Sequence, residues 1–101
     1  MKQRSTFISL LWPTRAGFME QMLPEEQAAM QAHSAYLEEI SSETRFYLIG
    51  PCLDRTFGIS VFEADSLEAA RQIIVNDPAV KRGVMSPEVH PFHISFLRQA
   101  D

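Results

Sequence analysis

Residues 45–76 read RFYLIGPCLDRTFGISVFEADSLEAARQIIVN and carry the signals of three consecutive elements of secondary structure. Residues 45–49 and 56–64 are rich in aromatic and β-branched side chains, which favour strands, and Gly50-Pro51 ends the first run at a turn. Residues 65–76 follow with the apolar spacing of a helix. The stretch therefore predicts two strands joined by a turn and then a helix.

That helix also has predictable ends. We predict Asp65 as its N-cap, and Glu68, three residues later, completes the spacing of a capping box. Pro78 follows Asp77 and cannot continue a helix without losing a backbone hydrogen bond. The helix is therefore expected to run to Asn76.

The segments on either side supply the remaining elements. Residues 6–12 are apolar and β-prone, Pro24 opens a helix over residues 24–40, and residues 89–97 form a final strand, with a further helical turn at 79–83. The order is strand, helix, strand, strand, helix, strand. This order predicts an α+β, ferredoxin-like βαββαβ fold, with a four-stranded antiparallel sheet and both helices on one face.

The other face of this sheet is predicted to need a cover. In the third strand Phe57, Ile59 and Val61 alternate with Phe62, so apolar side chains point to both sides. A second copy of the chain is the simplest cover for the face without helices, because twofold pairing of one surface is the commonest form of assembly. We therefore predict a homodimer through the sheet face, a dimeric α/β barrel.

Length and composition bound the class of protein. The 101 residues suit a single domain spanning residues 1–101, with 46% hydrophobic and 22% charged residues. The formal charge is −4 and no Lys/Arg stripe could follow phosphates, so no nucleic-acid partner is expected. Cys52 is the only cysteine, the amino terminus lacks the pattern of a signal peptide, and the apolar runs are too short to span a bilayer. We expect a cytoplasmic protein with no membrane partner.

Two polar residues lie on the apolar stripes of the predicted helices. His33 shares its stripe with Met30 and Leu37, and Asp77 continues the helical spacing of Ile74. Because burying imidazole or carboxylate is costly, the two are predicted to share one site. Each residue also has a purely structural alternative. His33 could be a partly buried histidine that hydrogen-bonds to the backbone, and Asp77 could cap the turn at Pro78.

Five short motifs resemble the YciI-like (YCII-related) proteins in order and spacing, across residues 27–96. They are His33-Ser-Ala-Tyr-Leu37, Phe46-Tyr-Leu-Ile-Gly50-Pro51, Ser66-Leu-Glu-Ala-Ala70 leading to Asn76-Asp77-Pro78, Gly83-Val84 and Pro91-Phe92. The resemblance implies a ferredoxin-like fold, dimeric α/β barrels and a His-Asp pair proposed as catalytic, which falls on His33 and Asp77. Most such proteins have no assigned reaction, and a few relatives eliminate chloride from chlorinated hydroquinones.

The sequence thus predicts a small enzyme in which His33 exchanges a proton with its substrate while Asp77 orients the imidazole ring. The expected substrate is a small organic molecule, either aromatic or acidic. We predict that Gly50, Pro51 and His90 contact the substrate. No metal site or cofactor is predicted, since ligand-spaced Cys/His clusters and glycine-rich phosphate loops are absent from the sequence.

Several points stay open on the sequence alone. Arg45, Arg55 or Arg82 could hold an anionic group, and the pattern does not rank them. A non-catalytic ligand-binding or accessory dimer is the competing class of function. A cofactor-free oxygenase would need a dry aromatic pocket, for which Trp12, Phe92 and Phe96 are available.

Residues 13–23 hold Phe18, Met19 and Met22 without a regular period. They are predicted to border the His33 pocket as a less ordered lid, or else to fill the core.

Overall fold

A computed structural model describes residues 4–98 and shows one antiparallel sheet with helices on one side. The elements in chain order are β1 Ser5–Pro13, α1 Pro24–Ile40, β2 Phe46–Pro51, β3 Gly58–Ala64, α2 Leu67–Val75, α3 Pro78–Lys81 and β4 Met85–Pro91. The strand order is β2-β3-β1-β4, with every neighbouring pair antiparallel. The predicted ferredoxin-like α+β fold is confirmed, and α3 overlaps the predicted extra turn at 79–83, beginning one residue earlier and ending two residues earlier.

The last strand differs from its predicted bounds. β4 pairs with β1 from Met85 to Pro91, so the prediction of a strand over residues 89–97 is wrong at both ends. The two prolines Pro87 and Pro91 lack the amide proton of a ladder hydrogen bond, but β4 is an edge strand and its outer side needs no partner. The apolar residues after Pro91 follow the strand rather than extend it.

The start of α2 also differs from the prediction. The hydroxyl of Ser66 accepts a hydrogen bond from the Ala69 amide at 3.0 Å, so Ser66 rather than Asp65 is the N-cap. Ala69 then occupies the position where a capping box requires Glu or Gln. Glu68 instead accepts a hydrogen bond from the Gln72 side chain at 3.1 Å. The predicted capping box is therefore wrong, although the helix itself is present.

Two clusters of buried side chains lie between the sheet and the helices. One joins Phe7 and Phe62 on the sheet to Ala70 and Ile74 on α2. The other contains Phe18, Ala29, Ala79, Val84 and Met85. On β1 and β3 the side chains two residues from Phe7 and Phe62 face the same way, which turns Ser9 and Ser60 toward the helices. The buried part of the sheet face under the helices is thus apolar except at this pair of serines.

The connection between β1 and α1 is held by an ion pair. The guanidinium of Arg15 donates to both carboxylate oxygens of Glu26, from Nε at 2.9 Å and from Nη2 at 2.7 Å, and Nη2 also donates to the Gln21 carbonyl oxygen at 2.8 Å. The Leu23 amide donates to Glu26 at 2.8 Å. The hydrogen bond from Arg15, followed by that from Leu23, lowers the pKa of Glu26 to about 2.

This lowered pKa predicts a loss of stability in acid. Because the folded-state pKa lies below the ordinary value of 4.5, the stabilisation is present above pH 4.5 and disappears as the pH falls through about 2. We expect Glu26→Gln to lower the urea midpoint by a constant amount between pH 5 and pH 7, and this difference should close near pH 2. Glu25→Gln, at the exposed neighbouring position, is the control and should show little change. A difference for Glu26→Gln that does not depend on pH would contradict this assignment.

Candidate active site

His33 and Asp77 meet at the junction of the three helices. The Nδ1 atom of His33, in the middle of α1, lies 2.5 Å from Oδ2 of Asp77, and their side chains are only 17% and 4% exposed. The other carboxylate oxygen of Asp77, Oδ1, accepts a hydrogen bond from the Ala79 amide at 2.9 Å and so caps α3. The predicted contact between the two residues is confirmed. The alternative, that Asp77 caps the turn at Pro78, is also correct, because Oδ2 contacts His33 while Oδ1 accepts from the Ala79 amide.

This contact fixes which nitrogen of His33 carries the proton. An ionised carboxylate only accepts hydrogen bonds, so Nδ1 must be the donor to Asp77. In the neutral ring the lone pair then lies on Nε2. No other residue within 4–98 hydrogen-bonds to the ring, and His33 lines a cavity. Nε2 is therefore the atom of His33 that a bound molecule can reach.

Tyr36 ties the helix of His33 to the helix that precedes Asp77. It lies one turn beyond His33 on α1, and its hydroxyl donates to the Ile73 carbonyl oxygen at 2.5 Å. Burial, followed by the nearby charge of Asp77, raises the pKa of Tyr36, so the phenol stays protonated and keeps donating. Tyr36 thus helps to set the distance between the two members of the pair.

The cavity beside His33 and Asp77 has a volume of about 260 Å³. Most of its lining is apolar, and the polar lining side chains are few. Besides His33 and Asp77, the residues that line it are Ser9, Leu11, Pro13, Met19, Met30, Leu37, Ile49, Gly50, Pro51, Cys52, Arg55, Phe57, Gly58, Ile59, Ser60, Ile74 and Met85. Such a small, largely apolar space with a few converging polar groups is typical of a site for a small molecule.

The candidate substrate-binding residues fall in two places. Gly50 and Pro51, at the end of β2, lie on the cavity lining with His33 and Asp77. His90 is not brought to this site: it is opposite Ile8 in the ladder of β1 and β4, one position out of step with the inward-facing residues. Its exposed Nε2 lies 2.8 Å from the Glu88 carboxylate. The face that His90 occupies follows from the pairing of β4 with β1, which the sequence alone does not report.

The segment of residues 13–23 contributes to the cavity and to the core. Met19 lies on the cavity lining, so the prediction that the segment borders the pocket is confirmed. Phe18 is only 1% exposed and belongs to the second buried cluster, with Met22 packed against it. The alternative that these side chains fill the core is therefore correct for Phe18 and Met22. That the segment is less ordered than the strands stays a prediction.

Sequence reasoning missed three polar contributors to this region. The hydroxyls of Ser9 and Ser60 are 2.6 Å apart, and both residues are buried on the lining. One hydroxyl proton of the two bridges the pair, which leaves the other to donate to a bound molecule. The signal was a serine on the inward face of each of two neighbouring strands. For Tyr36 the signal was its spacing of three residues from His33 on the same helix.

Other features of the site limit its chemistry. Trp12, Phe92 and Phe96 are exposed and lie outside the lining, so the dry aromatic pocket of the oxygenase hypothesis is not formed by them. Within residues 4–98, no group of three or more His, Cys, Asp or Glu side chains is placed to hold a metal ion.

In the same part of the chain, none of the helices combines the length and hydrophobicity needed to cross a bilayer.

Comparison with known proteins assigns the chain to a family. Residues 13–93 match the model of the YCII-related domain, and the chain belongs to that family. An uncharacterized protein of Bacillus subtilis (strain 168), YjpA, is 40% identical over 57 residues, which is 56% of this chain and 67% of YjpA.

Two solved structures share the fold. The 5-chloro-2-hydroxyhydroquinone dehydrochlorinase TftG from Burkholderia phenoliruptrix AC1100, solved with 2,5-dihydroxybenzoquinone, superposes with a TM-score of 0.64 and 23% identity, covering 86% of this chain and 93% of TftG. The uncharacterized protein TM1266 from Thermotoga maritima has a TM-score of 0.50 and 11% identity, covering 90% of this chain and all of TM1266. At these identities the likeness establishes the fold alone.

Proposed function

We propose that this protein is an enzyme that performs acid/base chemistry on a small organic molecule bound beside His33 and Asp77. The observation that carries the proposal is the 2.5 Å contact between His33 Nδ1 and Asp77 Oδ2, made at the wall of a largely apolar cavity. A histidine oriented by a carboxylate and facing a ligand space is a recurrent arrangement for general acid/base catalysis.

The proposed reaction uses the lone pair of His33 Nε2. This atom takes a proton from a C–H or O–H group of the substrate, and the imidazolium that forms is stabilised by the charge of Asp77. The Nε2 proton of the imidazolium exchanges with solvent, and His33 then gives a proton back to the substrate, to the same atom, to another atom or to a leaving group. The free hydroxyl proton of the Ser9–Ser60 pair is available to an oxygen that gains charge during this step.

Ligand binding without turnover is the second candidate function. The observation that favours it is the bond from Asp77 Oδ1 to the Ala79 amide, since a residue that caps α3 has a structural reason to be there. In that case the cavity would bind its ligand without any chemical step at His33. The following assay separates the two functions.

The experiment measures exchange of substrate protons with solvent deuterium. The purified protein is incubated in D2O with a panel of small enolisable carbonyl compounds and hydroxylated aromatics, including 2,5-dihydroxybenzoquinone, the molecule bound to TftG. Wild type should accelerate deuterium incorporation, seen by NMR, into at least one compound. His33→Gln should not, while His93→Gln, at an exposed position after β4, should match wild type. Exchange in none of the compounds, or equal exchange by His33→Gln, would contradict the proposal.

The proposed working form is a homodimer joined through the open face of the sheet. Residues that alternate with the inward-facing ones present an apolar surface there, including Ile8, Leu10, Trp12 and Leu48. Trp12 and Leu48 are 38% and 44% exposed in the single chain. Apolar side chains on neighbouring strands of an uncovered sheet face are typical of an interface. The helices cover only the opposite face.

Sedimentation analysis tests the dimer. Wild type should sediment as a dimer at micromolar concentration, and Ile8→Lys should shift it toward monomer, because a charge would have to be buried in the interface. Leu53→Lys makes the same kind of change at a residue that is 94% exposed on the hairpin, and it should leave the dimer intact. A monomeric wild type, or a dimer unaffected by Ile8→Lys, would overturn this part of the proposal.

A further inference from the structure

Among the arginines within residues 4–98, one lies on the cavity lining. Arg55 is that residue, and the other two arginines considered for an anionic group lie elsewhere. The guanidinium of Arg45 lies 5.2 Å from the centre of the Tyr47 ring, and Arg82 is the C-cap of α3. The structure thus ranks three residues that the sequence left equal, and it places Arg55 on the lining with His33.

The backbone of Arg55 is in an unusual conformation. Its φ of +67° is in the left-handed region, where a side chain is rarely found and glycine is favoured. The hairpin holds it there: the Arg55 amide donates to the Cys52 carbonyl oxygen at 3.2 Å, and the Thr56 hydroxyl donates to Asp54 at 2.6 Å. A strained position occupied by arginine, where glycine would fit without strain, indicates a use for the side chain.

The guanidinium of Arg55 is available to a ligand. It is half-exposed, and the carboxylate nearest to it, that of Glu20, is 3.9 Å away, too far for a hydrogen bond. No residue within 4–98 accepts a hydrogen bond from the guanidinium. Asp77, the acidic residue on the lining, has both oxygens engaged, one by His33 and one by the Ala79 amide. Within the described chain, Arg55 is therefore a cation on this cavity that makes no side-chain hydrogen bond and has only a long ion pair with Glu20.

We propose that the cavity takes a small organic anion and that Arg55 binds its carboxylate or comparable oxyanion at the mouth. The apolar body of the ligand then lies against Leu11, Met30 and Leu37, close to His33. This deepens the proposed function, on which it rests for the position of the substrate. The small volume of about 260 Å³ restricts the body of the ligand to a single ring or a short chain.

The test compares acids with their neutral amides by calorimetry. The probes are benzoate, 4-hydroxybenzoate and hexanoate, each paired with the primary amide of the same skeleton. Wild type should bind at least one acid about tenfold more tightly than its amide, because a carboxylate offers a guanidinium a negative charge and two acceptor oxygens, whereas the amide offers one neutral oxygen. Arg55→Gln should remove this preference, and Arg45→Gln, the matched control, should keep it. Glu20→Gln should strengthen acid binding by removing a competing carboxylate.

Arg55→Gly guards against a folding artefact. Glycine adopts a positive φ freely, so this variant should melt at or above the temperature of wild type while losing the preference for acids. The proposal is overturned if wild type binds no acid at millimolar concentration, if acids and amides bind equally, or if Arg55→Gln or Arg55→Gly keeps the preference. Binding is measured without turnover, so the two proposals can fail separately. Arg55-dependent binding without deuterium exchange would support the anion site and refute catalysis. Deuterium exchange without a preference for acids would support catalysis and refute the anion site.

Discussion

Asp77→Asn should lower the rate of deuterium exchange by about 10²–10⁴-fold while the protein stays folded, by analogy with triads in which the carboxylate is replaced. The reason lies in the two bonds of Asp77. Oδ1 accepts from the Ala79 amide, so the oxygen of the asparagine must keep that place and its NH2 group must face His33. An NH2 group donates, which forces Nδ1 to become the acceptor and moves the ring proton to Nε2. The base would then have its lone pair on the wrong side.

The control for this variant is Asp65→Asn. Asp65 is exposed and precedes α2, so the same change of side chain there should leave both exchange and melting temperature close to those of wild type. If Asp77→Asn exchanges as fast as wild type, the carboxylate does not orient a catalytic histidine. If Asp77→Asn unfolds while His33→Gln stays folded and keeps its activity, the main role of Asp77 is to cap α3.

Phe62→Ala should lower the free energy of unfolding by about 3–5 kcal/mol, the usual cost of truncating a large buried aromatic side chain. Phe62 has no exposed surface, and its ring contacts those of Phe7 and Phe46, with centroids 6.4 Å and 5.5 Å away. It lies on β3, between β1 and β2, so its removal leaves a cavity in the middle of the sheet. Since small domains are stable by only about 5–15 kcal/mol, this change removes a large part of the total.

Phe96→Ala is the matched control for Phe62→Ala. Phe96 is 81% exposed, so its replacement should change the free energy of unfolding by no more than about 0.5 kcal/mol. Urea denaturation at one fixed protein concentration measures both variants and removes the effect of any association. Equal destabilisation by the two substitutions would show that the core is not organised around Phe62.

The sequence predicts those parts of the fold whose signals lie within one short segment of the chain. The helix of Pro24–Ile40 follows from a proline at its first position and an apolar stripe, and the order of elements then limits the topology to a familiar one. The bounds of β4 depend instead on its pairing with β1, which no pattern within β4 reports. The same pairing decides that His90, opposite Ile8, lies away from the cavity.

The candidate site divides in the same way. His33 is predictable because it lies on the apolar stripe of α1, and Asp77 because it continues the spacing of Ile74, although it lies between α2 and α3. Arg55 could not be distinguished from Arg45 in the sequence, since only the left-handed turn of the hairpin places it on the cavity lining. The Ser9–Ser60 contact joins residues 51 positions apart, and such a pair becomes visible only when the register of β1 with β3 is known.

The position of the proton on the His33 ring decides whether Asp77 orients this histidine as a base. Nitrogen-15 NMR of the imidazole, recorded where the ring is neutral, distinguishes a protonated nitrogen from one with a lone pair. We predict a proton on Nδ1, hydrogen-bonded to Asp77, and a lone pair on Nε2 whose resonance shifts when a molecule binds in the cavity. A proton on Nε2, or an Nε2 resonance that no cavity ligand moves, would show that Asp77 does not orient His33 in this way.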